Sequence, residues 1–440
     1  MPAATTAGRA ATVGFWTAVA LVLGNMIGSG VFLLPASLAP YGGLSLVGWI
    51  ISATGSVLLA IVFARLGRRD PAAGGPYAYT RRAFGDLAGF LVAWGYWISS
   101  WATNAALAVA FVGYLGVFFP RVAAHPASAA GLAVATVWLL TAVNARGVAA
   151  AGRVQVVTTI LKVLPLILVG AAGLAALQPE HFAIADRPLA AYGRDVMAVV
   201  TLTLWAFLGL ECATIPAASV RDPDRTIPLA TLTGTIIAAV VYLVSTAGVM
   251  GVVRPEVLAT TTAPFADAAQ ALFGGRAAQV VAIGAAISCF GALNGWILIV
   301  GQLPLAVARD GLFPAVFART TSRGVPVAGM VIAGVLSTAL IALNYTRGLV
   351  ALFTFIILLA TLSTLVPYVF CSLAEFLFDR QPGAPQSSRA ARVVSALAFL
   401  YAIVAVAGAG ADVVYWGFLL LLLGLPVYVW RQRAREAPVS

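Results

Sequence analysis

Lys162 is the only lysine in the 440-residue chain, and it lies inside the apolar run from Val156 to Pro165. An ammonium at the centre of a membrane helix costs about 2.5–3.5 kcal/mol on insertion scales, so it needs a compensating partner or must snorkel to an interface. Glu211 ends the stretch Leu204-Trp205-Ala206-Phe207-Leu208-Gly209-Leu210-Glu211 and is the carboxylate placed nearest the middle of an apolar segment. At that depth an ionisable group is a functional hypothesis by default, here a proton sensor, with a structural carboxylate bonded to neighbouring helices as the alternative. The third feature is Gly24-Asn25-Met26-Ile27-Gly28-Ser29-Gly30. A break at Ser29 and Gly30 would expose backbone N–H groups where water is scarce, and that makes an anion site. A carboxylate at the positive end of the restarted helix gains up to about 2 kcal/mol in a partly buried geometry. Ser29 adds a hydroxyl and Gly30 permits close approach.

The elements that must hold these groups are membrane helices. The chain is 61% hydrophobic and 9% charged, where a soluble domain carries about 25% charged residues. With about 20 apolar residues per crossing, its length leaves room for roughly twelve spans. Apolar stretches read as 13–38, 43–66, 87–119, 127–145, 153–177 and 191–217, then 227–252, 278–308, 326–344, 348–377, 391–410 and 413–430. They form one transporter-sized membrane domain over 13–431, between tails at 1–12 and 432–440. The net charge of +11 is not gathered into one nucleic-acid face. Arginines in alternate connections divide as roughly 19 against about 6, which predicts an inner-membrane protein with both termini cytoplasmic. Arg9 before the first run and the small residues Ala36 to Ala39 after it imitate a signal peptide, but the run exceeds the usual core of about 7–15 residues. The outer segments 177–193 and 255–275 are long enough for short surface helices.

Cys212, Cys289 and Cys371 are far apart in apolar segments, with no disulfide or metal spacing. His125 and His181 fall in connections, which leaves no haem ligands between helices. Hydrolytic and dinucleotide motifs fail for lack of a zinc-protease pattern, a third glycine and a preceding strand. No cofactor, metal or nucleic-acid partner is expected.

Two spans, the first and the sixth, carry the same kind of interruption five spans apart. Glycine in membrane helices often serves close packing alone. A matched pair of interruptions instead predicts an inverted repeat of five plus five helices, about 13–177 and 191–377, followed by two extra helices at about 391–430. Carbonyls freed around Trp205, Ala206 and Leu208 would suit an α-ammonium.

Five stretches carry a resemblance over nearly the whole chain: 24–43, 70–85, 204–211, 221–230 and 295–314, including Arg221-Asp222-Pro223-Asp224-Arg225 and Gly295-Trp296-Ile297-Leu298. The chain resembles the amino acid/polyamine/organocation superfamily, in its basic amino acid/polyamine antiporter family, nearest the arginine/agmatine branch. The resemblance implies an all-α leucine-transporter-type fold of about twelve helices, spans 1 and 6 discontinuous. It also implies a substrate site of Asn25, Ile27, Ser29, Gly30, Ser99, Ser100, Asn104, Leu107, Trp205, Ala206, Leu208, Trp296 and Ala360. By the same resemblance Tyr96 and Trp296 form a middle gate, Glu211 an inner one that senses pH, and Tyr368 with Tyr77 flanking layers. A lysine at the position of Lys162 replaces a sodium ion in sodium-independent members of the superfamily. A homodimer is among the assemblies implied. Leu107 and Ala360 stand where the branch has methionine and serine, Ser99 and Ser100 where it has alanine and cysteine, and Lys162 is absent from it. Arginine as substrate is weaker than the family.

The pocket has no obvious carboxylate. A substrate cation would lie on the face of Trp205 or Trp296, worth about 2 kcal/mol when desolvated, with Asn104, carbonyls and water supplying the remainder. The expected function is secondary active transport of amino acids or amines by alternating access, as an exchanger of a basic amino acid for its decarboxylated amine or another amino acid. Proton-coupled, sodium-independent symport or export is the alternative, favoured by Lys162. A channel would show unitary currents, and enzymatic activity is not expected.

Overall fold

A computed structural model describes residues 13–184, 186, 188–261, 263–347, 349–380 and 386–436, with the side chains of 346–361 and 436 outside that description. In a bilayer each backbone N–H and C=O must be bonded internally, and these apolar runs satisfy that by becoming helices. The first span is two pieces, α1 (Phe15–Met26) and α2 (Gly30–Leu38), bent by 43° at the break. Next come α3 (Leu44–Arg69), α4 (Pro76–Phe84), α5 (Asp86–Leu115), α6 (Pro120–Ala124), α7 (Pro126–Ala145) and α8 (Val148–Ala175). The sixth span is helical only as α9 (Leu189–Leu204), followed by a 3₁₀ turn at Trp205–Phe207 and a run of turns over 208–216. The remainder is α10 (Pro223–Val252), α11 (Pro255–Leu258), α12 (Pro264–Phe273), α13 (Ala277–Arg309), α14 (Val327–Arg347), α15 (Leu349–Phe378), α16 (Arg389–Gly408), α17 (Ala411–Leu422) and α18 (Leu425–Glu436).

Among the described residues nine helices are long and apolar enough to cross a membrane, ten with the bent first pair. The expected count of twelve is not reached by that measure. Beyond those ten, the sixth span loses its helix after Leu204, and α15 has described side chains only from Leu362 onward. The last expected span, 413–430, divides at Leu423 and Gly424, and α18 extends the helix past the expected start of the tail at 432. Proline begins α4, α7, α10 and α12, where its missing N–H is not needed.

Helix α13 is the centre of the bundle, with 83% of its apolar window buried, whereas the α17–α18 stretch has 17% and lies at the periphery. Packing around α13 places α5, α8 and α1 beside it. Small residues set the position of α8: a Cβ on Gly170 or Gly173 would stand 2.7 Å from the backbone of Ser245 or 2.4 Å from that of Gly248. Such contacts let α8 and α10 approach at backbone distance. At the start of the first span, Val13 N–H donates to Ser219 O (3.0 Å) and Arg221 N–H to Val13 O (2.9 Å), which ties it to the segment just past the turn run.

A polar cluster fixes the arginine-bearing end of α15. Arg65 pairs with Glu375 and Arg69 with Asp379, both at 3.0 Å, and Ser395 and Ser387 donate to the same carboxylates. Asp379 lies just beyond α15. Burial pushes its pKa up, but hydrogen bonds from Arg69 and Ser387 outweigh that and hold it below the usual carboxylate value. The stability from this carboxylate is therefore complete above the ordinary carboxylate range and lost as pH falls through the lower folded value. Asp379→Asn is expected to cost about 1.5–3 kcal/mol and to blunt that acid dependence, read as the thermal midpoint in detergent against pH. An unchanged profile would contradict the assignment.

Candidate functional site

The break in the first span leaves orphan backbone groups on both sides, and each carbonyl of the first half can be traced to a donor. Leu23 O accepts from Ile27 N–H and Met26 O from Gly28 N–H, each at 3.0 Å. Lys162, reaching from α8, donates from Nζ to Gly24 O and Ile27 O, both at 2.6 Å. Ser288 of α13 donates to Ile27 O (3.1 Å) and Gly28 O (3.0 Å), and Trp296 Nε1–H to Asn25 O (3.4 Å). The fully buried ammonium thus caps the negative end of α1.

The second half is different. The N–H groups of Ser29, Gly30 and Val31, at the start of α2, meet no acceptor among the described residues, and Ser29 makes no cap. They border a cavity of about 50 Å³ that is also lined by Asn25, Leu107, Trp205, Leu208 and Trp296. Buried unbonded donors at a helix N-terminus are an anion site. Trp205 lies against Gly30 so closely that a Cβ there would stand 1.4 Å from its Cζ3. Gly30→Ala would force that ring aside at a cost of about 1–3 kcal/mol. The expected result is about tenfold weaker substrate binding by calorimetry, and an unchanged affinity would refute the close-approach role.

On the far side of Trp296 the cavity is shut. The rings of Tyr96 and Trp296 lie 6.1 Å apart, tilted by 37°. Behind them the Glu211 carboxylate, fully buried, accepts hydrogen bonds from both Tyr96 Oη and Tyr368 Oη. Tyr368 Oη also receives Gly209 N–H at 3.3 Å. Gly209 has φ +102°, open to glycine, and a Cβ there would meet Asn25 and Trp296. Farther toward the arginine-bearing ends, Tyr77 Oη donates to Asp310 (2.7 Å). Arg81 pairs with Asp86 and Asp310 at 2.7 Å, and Arg435 of α18 with Asp86 at 2.9 Å.

The structure brings Asn25, Ser29, Gly30, Leu107, Trp205, Ala206, Leu208 and Trp296 to one cavity. Asn25 is 4% exposed, and among the described residues its side-chain amide finds no nitrogen or oxygen partner. Four expected residues are not lining it. Ile27 is fully buried and contributes only its carbonyl, to Lys162 and Ser288. Ser99 and Ser100 turn back onto Tyr96 O, at 3.0 and 2.7 Å, because hydroxyls three and four residues on from a helix carbonyl can reach it, and the Ser99 hydroxyl also hydrogen-bonds the Thr364 hydroxyl of the cavity lining at 3.2 Å. Asn104 is buried with its Oδ1 unpartnered, one position past Thr103, which does line the cavity. Ala360 lies outside the described side chains. The expected carbonyls are also partly engaged: Trp205 O accepts from Leu208 N–H and Ala206 O from Tyr242 Oη, which leaves Leu208 O open among the described residues. Sequence reasoning missed Met26, Gly28, Val31, Thr103 and Thr364. Met26 and Gly28 lie inside the quoted motif and Val31 directly follows it, and Thr364 follows Ala360 by one helical turn, so period alone could have reached it.

The chain that builds this broken first helix and unwound sixth span matches a known family model, that of amino acid permeases, over residues 13–429. The chain belongs to the amino acid permease family. This permease is 33% identical over 437 residues to the cadaverine/lysine antiporter of Escherichia coli strain K12, covering 97% of this chain and 96% of that one. It is also 32% identical over 410 residues to the putrescine transporter PotE of Haemophilus influenzae, covering 93% and 94%. The E. coli K12 putrescine transporter PotE matches at 30% over 410 residues, 93% of each chain. The permease is a multi-pass membrane transporter and not an enzyme.

Proposed function

We propose that this permease exchanges a basic amino acid for its decarboxylated amine by alternating access, as an inverted-repeat carrier with both termini in the cytoplasm. The observation that carries the reading is the set of unbonded N–H groups at Ser29, Gly30 and Val31 facing a cavity between two aromatic rings. Those donors would hold the carboxylate, and Leu208 O the α-ammonium. The side chain would run along Trp205, Trp296, Thr103 and Leu107, where the lining, among the described residues, has no carboxylate to grip a cation permanently. A cation bound by ring faces and amide dipoles can also leave, as exchange requires. The similarity to a cadaverine/lysine antiporter and to putrescine transporters supports lysine or ornithine and their diamines as substrates. At about 50 Å³ the cavity has room for water only, so loading a substrate must move Trp205 or Trp296.

Liposomes preloaded with cadaverine should take up external labelled lysine several-fold faster than empty ones, with lysine efflux stimulated in return. Equal uptake by empty liposomes would overturn exchange. Burial of Lys162 favours a second reading, proton-coupled and sodium-independent transport. That reading predicts uptake into empty liposomes driven by an imposed pH gradient.

A further inference from the structure

A cavity of about 250 Å³, separate from the central one, opens at the arginine-bearing ends of the helices. Its walls carry three guanidinium side chains from three segments: Arg146 after α7, Arg309 at the end of α13 and Arg323 in the connection to α14. Among the described residues no acidic side chain lines it. Among the described residues none of the three has a carboxylate partner, whereas the neighbouring Arg65, Arg69, Arg81, Arg82 and Arg435 are all ion-paired. The N–H groups of Val148 and Ala149, which open the 28-residue α8, border the same space without an acceptor among the described residues.

Three like charges converging on one concavity without a counter-charge call for an anion, and guanidinium forks match the oxygens of phosphate in paired hydrogen bonds. We propose that this cavity binds a phosphate group, carried either on an anionic lipid headgroup or free in solution. The cavity opens at arginine-bearing helix ends, and basic residues near a membrane surface attract anionic lipid. Its other walls, Pro216, Ser219 and Gln302, continue the turn run that carries Glu211 and the helix that carries Trp296. A bound phosphate would therefore bridge elements that must separate for the arginine-bearing side to open, and would favour the closed form.

The test uses the purified full chain. Its thermal midpoint is followed during titration with sodium phosphate in uncharged detergent at constant ionic strength. In parallel it is followed in nanodiscs of phosphatidylcholine with and without phosphatidylglycerol. The midpoint of the wild type is expected to rise in at least one arm. In Arg146→Gln/Arg309→Gln/Arg323→Gln the rise should vanish, with apparent affinity falling about tenfold for each guanidinium removed. The charge-matched variant Arg194→Gln/Arg254→Gln/Arg276→Gln, altered at exposed positions elsewhere, should respond like the wild type, and single Arg323→Gln gives a milder readout should the triple variant fold poorly. A rise with free phosphate assigns a soluble ligand, and a rise only with phosphatidylglycerol assigns a lipid. No rise in either arm, or an equal rise in the triple variant, overturns the site.

Discussion

Lys162→Ala is expected to reduce exchange in proteoliposomes by about a hundredfold or more. The ammonium makes two charge-assisted hydrogen bonds, to Gly24 O and Ile27 O, at a depth where no water replaces it. Such bonds contribute about 1.5–3 kcal/mol each, and an orphaned buried carbonyl costs about 1–3 kcal/mol. Ser288 still serves Ile27 O, so Gly24 O carries most of the loss. With that tie gone the C-terminal end of α1 loses its registry with α8, and the Asn25 and Ser29 side of the cavity moves with it. A thermal midpoint measured alongside separates lost coupling from lost folding. The same geometry predicts that the wild type is indifferent to replacing Na⁺ with choline, because the ammonium itself supplies the positive charge to the α1 carbonyls freed at the break. A strict sodium requirement would sink this account.

Glu211→Gln is expected to flatten the pH dependence of exchange while leaving the protein folded. Glutamine keeps the shape and one acceptor oxygen, so at least one of the bonds from Tyr96 and Tyr368 can persist. Among the described residues the groups facing Glu211 are those two phenols and the thiol of Cys212, with no second carboxylate among them. A change in its proton alters how firmly α5, α15 and the turn run are held together, and with it the barrier to opening. Tyr96→Phe and Tyr368→Phe should each speed or slow exchange with the titration retained. Rates for Glu211→Gln that still follow the wild-type pH profile would remove the sensor role.

Much of this protein was legible in its residues. Long apolar runs punctuated by arginine, glycine and proline fixed where most helices begin and end, because the bilayer tolerates no unbonded backbone and only helices spare it. The break at Gly28-Ser29-Gly30 and the loss of helix after Leu204 were legible for a related reason: local chemistry weakens a helix whatever surrounds it. A lone lysine in an apolar run demanded a partner, and the nearest set of freed carbonyls was already on the page.

What sequence could not decide was rotation. A helix that is apolar all round carries no stripe to say which face meets the core. That is why Thr103 lines the cavity where Asn104 was expected, and why Ser100 turns back onto its own helix while Ser99 is shared between that helix and Thr364. Nor could it foresee contacts between distant segments, such as Tyr242 occupying Ala206 O, Trp205 lying over Gly30, or α18 returning to Asp86. Those depend on how α13 gathers its neighbours. Composition and local breaks thus determined a multi-pass membrane transporter with a gap in its first span, while tertiary packing alone chose which side chains and which free backbone groups face that gap.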